Sequence, residues 1–397
     1  MLNGKHIVLG VTGSIAAYKI ASLASMLKKQ HADITVIMTK NATNFINPIT
    51  FETLTGNKCL VDTFDRNFQY SVEHVALAKQ ADVFMVAPAS ANIIAKAAHG
   101  LADDMLSTTL LACTCPKVFA PAMNTRMFQN PIVQDNLKIL EKYDMTVINP
   151  ASGYLACGDT GEGKMPEPEV LYEYIIDALT PKDMKGLKVL ITAGPTQESI
   201  DPVRYISNHS TGKMGYAIAR KAMMRGADVT LVTGRTNLTP PIKVNTVPVV
   251  SAADMASAVK EYADSQDIII KSAAVADYRP QTVADNKIKK KDGDMSISLE
   301  RTEDILGFLG SHKRPDQFLC GFSMETENMI ENSRKKLVKK NLNLIVANNL
   351  KQSGAGFGVD TNIVTLISDS DTVELPIMSK TEVADHLLDY IIAHRNN

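Results

Sequence analysis

The feature that most constrains the fold is an alternation of short apolar runs with helix-period segments, carried along the chain twice. Residues 6–10, 33–39, 82–87, 118–120 and 146–148 form apolar runs of strand length, and segments such as 15–29 and 91–99 repeat apolar residues at helical spacing. Such alternation implies a parallel sheet with helices on both faces. Around 167–188 the texture changes to one short helix pattern between prolines, followed by a glycine. The alternation then restarts, with strand candidates at 188–193, 228–233, 267–272, 318–322 and 344–347 and helix patterns at 215–225, 251–263 and 328–340. The tail adds short strands at 363–367 and 372–375 and a helix from 380 to about 395. The fold class read from this is α/β: two doubly wound, mainly parallel-sheet (Rossmann-like) domains in series, at 1–180 and 187–397. The halves share architecture without an obvious repeated sequence.

Composition enters as exclusion. A length of 397 residues exceeds the ~250–300 that one core usually organises. Lys and Arg number 42 against 43 Asp and Glu, a formal net charge of −1, which argues against a nucleic-acid binder. With 45% hydrophobic and 21% charged residues the chain reads as globular rather than disordered. No apolar run reaches the ~18–20 residues of a membrane helix, so no membrane partner is expected. The N-terminal apolar stretch is broken by Thr12, Gly13 and Ser14 and runs on into an amphipathic pattern, unlike a signal peptide. Five scattered cysteines form no disulfide framework and point to a reducing cytoplasm.

In the first half, GVTGSIAAYK is a Gly-containing turn that opens a helix, a place where free N–H groups favour an anion such as phosphate. It is not G-x-G-x-x-G, and the second strand ends in Met38 and Thr39 with no acidic residue for a ribose. That combination disfavours NAD and favours a mononucleotide such as FMN. Thr39, PASAN at 88–92 and PAMN at 121–124 end the second, third and fourth strands, where ligands of open parallel sheets sit. His74, at a helix start, suits proton transfer, although a lone histidine is more often structural. Asn124 could orient a carboxylate. Cys157 lies in the aperiodic, Gly-rich GYLACGDTGEGKMPEP and could close over a substrate and deliver a proton. Cys113 and Cys115 have no second ligand pair at zinc spacing and read as packing residues. A near match to G-x-x-x-x-G-K at 158–164 fails, because Met165 replaces the hydroxyl residue and Pro166 and Pro168 forbid the helix that should follow.

In the second half, ITAGPTQESIDPVRYISNHSTGKMGYAIA suggests another phosphate loop, with Arg204 and Lys213 nearby; Met214 after Lys213 rules out a Walker A motif. KSAAVADYRP ends a strand with small residues that let a base or ribose approach, and Asp277 can take ribose hydroxyls or Mg²⁺. NKIKKKDGD brings Lys287, Lys289, Lys290 and Lys291. It is either a solvated turn or a flexible arm over a triphosphate. Lys336 and Lys340, one helical turn apart, could join it.

The ordered series GSIAAYK, SVEH, PASANIIAKAAHGLADD, PAMNTRM, ACGDTGEGKM, ITAGPTQESIDPVRYISN, STGKMG, AAVADYRP and KIKK spans nearly the whole chain. It resembles the family of bifunctional bacterial coenzyme A biosynthesis proteins, which unite phosphopantothenoylcysteine decarboxylase with phosphopantothenate–cysteine ligase. For the first half the resemblance implies FMN held by Gly13, Ser14, Thr39, Ser90 and Asn92. It implies His74 as active-site base, Asn124 at the substrate carboxylate, and Cys157 as proton donor on a flap. For the second half it implies CTP as co-substrate with Mg²⁺. Asn208 would process an acyl-cytidylate, and Lys287 would stand at the triphosphate. Ala273, Ala274, Val275, Asp277, Glu303, Asp304, Ile305, Leu306, Phe322, Lys336 and Lys340 would make the remaining nucleotide contacts, with Asp277 also toward the metal. The implied substrates are 4′-phosphopantothenate, cysteine and CTP, and the implied assembly is a homo-oligomer through both domains. Thr211 stands where Ser is usual, Phe128 where Trp is common and Met324 where Ala is common; none of these removes a reactive group. Two rival classes are a nicotinamide-dependent oxidoreductase and a non-enzymatic flavin-binding regulator, which would need neither Cys157 nor the second half.

Overall fold

The computed structural model describes residues 2–64, 73–154, 158, 160–289, 295–325, 328–349, 356 and 358–395. The chain divides into two compact units, Met1–Thr180 and Pro181–Asn397. Cys157, Lys290 and Lys291 lie outside the described residues.

The first unit runs β1 (His6–Val11), α1 (Tyr18–Lys29), β2 (Asp33–Met38), α2 (Pro48–Thr55), α3 (Glu73–Gln80), β3 (Val83–Ala89), α4 (Ala91–His99), α5 (Met105–Ala112), β4 (Lys117–Pro121), α6 (Thr125–Phe128), α7 (Pro131–Lys142), β5 (Thr146–Val147), β6 (Ala151–Tyr154), β7 (Thr160–Lys164) and α8 (Pro168–Leu179). The first five strands make one parallel sheet in the order β2-β1-β3-β4-β5. Helices cover both faces, so β1 and β3 are buried along nearly their whole length; this is why they read as unbroken apolar runs rather than alternating ones. Local chemistry fixes the helix ends. Asp104 and Ser107 form a capping box on α5, and Asn130 caps α7 with Pro131 in its first turn. Gly56 and Gly100 close α2 and α4 in the left-handed conformation. Phe84, Phe119, Ile93, Leu106 and Leu140 fill one face. Strands β6 and β7 form a separate antiparallel hairpin. Lys164 ends β7 and α8 begins only at Pro168, so no P-loop forms.

The second unit runs β8 (Lys188–Ala193), β9 (Gln197–Ser199), β10 (Tyr205–Ser207), α9 (Lys213–Met224), β11 (Asp228–Thr233), β12 (Asn245–Pro248), α10 (Ala252–Ala263), β13 (Ile268–Lys271), β14 (Tyr278–Pro280), β15 (Leu299–Arg301), α11 (Ile305–His312), β16 (Phe318–Glu325), α12 (Met329–Lys339), β17 (Leu344–Asn349), β18 (Thr361–Ile367), β19 (Thr372–Ser379) and α13 (Lys380–His394). Its eight-stranded sheet has the order β12-β11-β8-β13-β16-β17-β18-β19. Pairing is parallel from β12 to β17 and antiparallel for β18 and β19. The expected pair of doubly wound, mainly parallel sheets is therefore what the chain builds. The sequence reading missed the hairpins β6–β7, β9–β10 and β14–β15, and it made the tail strands too short. Among the described residues, no helix is long and apolar enough to cross a membrane.

Candidate functional site

In the first unit, strand β1 lies between β2 and β3. The chain therefore leaves β1 toward one side and later returns to the other, which opens a crevice at the carboxyl edge. Thr12 ties its walls: the buried hydroxyl donates to Pro88 O at 2.7 Å and accepts from the Ser90 N–H at 3.0 Å. Gly13 has to be glycine, since a Cβ there would stand 2.9 Å from Asn41 Cβ. Ser14 caps a short 3₁₀ turn, Ile15–Ala17, through the Ala16 N–H. Thr39 accepts from the Ala42 N–H at 3.3 Å. Ser90 is the N-cap residue of α4 but makes no side-chain cap bond; Asn92 is exposed in the first turn. His74 is the second residue of α3 and partly buried. Because α3 precedes a parallel strand, its first turn lies at the same carboxyl edge as these tips.

Asn124 caps α6, its Oδ1 accepting from the Met127 N–H at 2.8 Å. That bond spends the acceptor of the amide. The Nδ2 donor has no partner among the described residues, so it is available to a carboxylate. The hairpin β6–β7 comes down on this turn: the Met123 N–H donates to Gly163 O at 3.1 Å, and a Cβ on Gly163 would meet Met123 O at 2.3 Å. On the hairpin's far leg, Lys19 donates to Glu167 Oε1 at 2.7 Å and to Met165 O at 3.5 Å. The hairpin β6–β7 is thus fixed at its base against Asn124; Cys157 falls between its two strands in sequence and outside the described residues.

In the second unit, β8 and β13 flank the corresponding switch point, with β11 beyond β8 and β16 beyond β13. A cavity of about 520 Å³ opens there. It is lined by Ala273, Ala274, Val275, Asp277, Glu303, Asp304, Ile305, Leu306, Phe322, Lys336 and Lys340, together with residues that sequence reasoning did not assign. The 273–277 segment is held by its own backbone: Ala273 N–H donates to Thr192 Oγ1 at 3.1 Å, Ala274 N–H to Gly194 O at 3.0 Å and Ala276 N–H to Thr196 Oγ1 at 3.0 Å. Asn208 reaches the same segment, its Nδ2 donating to Ala274 O at 3.0 Å. Asp304 caps α11 through the Gly307 N–H at 3.0 Å and pairs with Lys340; Glu303 pairs with Lys260 at 2.5 Å. Gly215 lets α9 pack against β8, where a Cβ would stand 2.6 Å from Ala193 Cβ. The first turn of α9 thereby faces the cavity.

The cavity is richer in cations than its sequence suggested. Lys213 pairs with Asp360 at 2.7 Å, and Lys380 and Lys271 also line it. Burial and the neighbouring Lys213 push Lys380 down. Burial, then Lys336, push the Lys271 ammonium down to about 8, with Asp277 opposing and Lys340 adding. Burial also lowers Lys340, against Asp277. Buried Asn348 lines the cavity, and its Oδ1 has no hydrogen-bond partner among the described residues. Asp277 is exposed, and the described residues contain no cluster of three metal-binding side chains. A magnesium ion here would take one carboxylate and otherwise phosphate oxygens and water, the usual company of that ion.

Lys287 is exposed and does not line the cavity. Its segment is nevertheless clasped. Asp201, almost fully buried, accepts from the Val203, Arg204 and Ile288 N–H groups and pairs with Arg204, whose guanidinium also donates to Ile288 O at 2.7 Å. Burial raises the Asp201 carboxyl, but these donors outweigh it and hold the group at about 2. Asp201, Lys271 and Asn348 were all missed. Asp201 had a local signal, an acidic residue three before Arg204; Lys271 ends a run of three isoleucines and passes for a strand terminus.

Residues 1–180 match the Flavoprotein family model, and residues 184–394 match that of the DNA/pantothenate metabolism flavoprotein C-terminal domain. The coenzyme A biosynthesis bifunctional protein of Bacillus subtilis is 48% identical over 398 residues, covering 99% of this chain and 98% of that one. Its counterpart in Haemophilus influenzae is 45% identical over 392 residues, covering 98% of each. A solved structure of the C-terminal domain of such a protein is 46% identical, covers 53% of this chain and 97% of that chain, and has a TM-score of 0.46. With full-length similarity of this order and both family models in series, the chain belongs to the family of bifunctional coenzyme A biosynthesis proteins.

Proposed function

We propose that the chain catalyses two successive steps of coenzyme A biosynthesis: CTP-dependent ligation of cysteine to 4′-phosphopantothenate in the second unit, then FMN-dependent decarboxylation of phosphopantothenoylcysteine to 4′-phosphopantetheine in the first. The observation that carries this reading is the presence, in one chain similar end to end to such proteins, of two separate switch-point sites of opposite character. One is a crevice of neutral donors with a hairpin fixed against Asn124; the other is a lysine-lined cavity.

A carboxylate is a poor electrophile. In the second unit, Lys336, Lys340 and the Lys287 arm neutralise charge as 4′-phosphopantothenate displaces pyrophosphate from CTP. Asp277 would hold a Mg²⁺ ion, which would supply further positive charge to the phosphates. The cysteine amine then displaces CMP, and Asn208, beside Ala274, orients the acyl-cytidylate. In the first unit, the strand order β2-β1-β3-β4-β5 suits FMN between the β1 and β3 tips. Gly13 and Ser14 would take its phosphate, while Thr39, Ser90 and Asn92 would hold the remainder. When bound, the flavin supplies the electron sink that the substrate lacks. Asn124 orients the substrate carboxylate through Nδ2, His74 handles a proton, and Cys157 delivers a proton. The domain limits 1–180 and 187–397, a homo-oligomeric assembly through both domains, and a cytoplasmic setting belong to the same reading. The two rival classes have no observation in their favour. Supplying 4′-phosphopantothenate, cysteine and CTP should release pyrophosphate and CO₂ in equal amounts without external oxidant. Absence of pyrophosphate would overturn the ligase assignment, and pyrophosphate without CO₂ would overturn the decarboxylase assignment.

A further inference from the structure

We propose that Lys271 is a further nucleotide-binding residue of the second unit, its ammonium meeting the phosphate chain of CTP alongside Lys336. This rests on the ligase reading above. Lys271 is the last residue of β13, in register with Thr192 on β8 and Gly321 on β16. It therefore stands at the carboxyl edge of the switch point, where ligands of such sheets bind. Two residues earlier, Ile269 lies in the apolar core with Leu306 and Leu337. Strand parity sends Lys271 to that same face, and Gly321 beside it packs on Leu306 and Leu342. The lysine stem continues the core row, and the residue lines the cavity.

A lysine in such surroundings is ordinarily paired. Among the described residues the Lys271 ammonium has no hydrogen bond and no ion pair, and the Lys336 ammonium has none either. The nearby carboxylates are largely committed, Asp304 to Lys340 and Glu303 to Lys260. Among the described residues only Asp277 opposes the repulsion that Lys271 receives from Lys336 and Lys340, and the outcome is a weakened ammonium. The cluster is thus unfavourable when empty and favourable around an anion. A base or ribose would relieve none of this repulsion, whereas a phosphate chain in contact with Lys336 would.

The test uses the full chain with Lys271→Met, which keeps the stem and removes the charge, and Lys271→Arg, which keeps a charge. Lys271→Met should raise the CTP KM roughly ten- to a hundredfold, as expected for a lost charged hydrogen bond. It should shrink the CTP-induced rise in Tm, and without nucleotide it should melt no lower than wild type. Decarboxylation of supplied phosphopantothenoylcysteine should be unchanged, and Lys271→Arg should recover most of the CTP affinity. An unchanged CTP KM in Lys271→Met, or failure of Lys271→Arg to bind CTP better than Lys271→Met, overturns the proposal. A wild-type chain that CTP neither stabilises nor serves as substrate overturns the ligase reading itself, an outcome distinguishable from the first two.

Discussion

The two units solve the same architectural problem and handle a ligand in opposite ways. Each opens a site where a parallel sheet reverses direction, at β1–β3 in one and β8–β13 in the other. The first surrounds its site with hydroxyls, an amide and helix starts, through Thr12, Ser14, Thr39, Ser90 and Asn124. The second surrounds its site with five lysines, Lys213, Lys271, Lys336, Lys340 and Lys380. Neutral donors suit a group that stays in place and changes its electron count, because they do not bias it strongly toward one charge state. Clustered cations suit a polyphosphate that arrives, reacts and departs, because they stabilise charge that develops and then leaves. The formal net charge of −1 conceals this asymmetry.

The sharpest way to break the comparison is at Cys157. Cys157→Ser should leave ligation intact and lower 4′-phosphopantetheine formation by ~10²–10⁴-fold, the usual contribution of a positioned proton donor. Mass spectrometry should find the oxidised enethiol accumulating; normal turnover would remove Cys157 from the mechanism. A smaller effect is expected at Asn124. Asn124→Asp keeps the α6 cap acceptor but replaces the Nδ2 donor with negative charge, which the proposed substrate carboxylate would meet. Decarboxylase kcat/KM should fall about a hundredfold, while the helix content and the ligase rate hold. If both activities fall together, the halves do not act independently.

The second unit offers the matching cut. Asp201→Asn removes the carboxylate that gathers Arg204 and three backbone N–H groups under the Lys287 arm. Ligation should fall by about tenfold, with CTP KM rising more than kcat falls, as for loss of one charged contact. Decarboxylation of supplied substrate should not change. An unaffected CTP KM would show that the clasp does not position the arm.

Legibility follows burial. Strands such as β3 and β8 are sealed between helix layers, so their apolar runs announced them. The hairpin β6–β7 is short and mostly exposed, with Gly153 and Gly161 in place of any alternation, and its residues carried no periodic signal. Ser90 and Asn124 stood out in the sequence because each is a polar residue just beyond an apolar strand, and the structure places both at helix N-caps. Lys271 was not, since a charged residue that ends a strand usually faces water. Only the register with Gly321, and the core position of Ile269 two residues earlier, reveal that it faces inward. The clasp on Ile288 was equally hidden, because its partners are separated by more than eighty residues and meet only in three dimensions.

The smallest expected effect concerns pH. Lysine's ordinary value is 10.5, and burial with the neighbouring Lys336 and Lys340 lowers Lys271 to about 8 in the folded chain. Below pH 8 the lysine is charged in both folded and unfolded chains, and folding bears the full cost of its environment. Between about 8 and 10.5 the unfolded chain binds more protons than the folded one, so this contribution makes the folded state gain stability as pH rises. Lys271→Met has no such term. The Tm of the variant minus that of the wild type, without nucleotide, should be positive below pH 8 and decline through that window. Saturating CTP should reverse the order, because the phosphate chain then favours the charged lysine. A Tm difference independent of pH would show that the methionine acts through packing and not through the removed charge. The first unit supplies the control: the Asn124→Asp difference, set by a carboxyl that is fully ionised there, should stay flat across the same range.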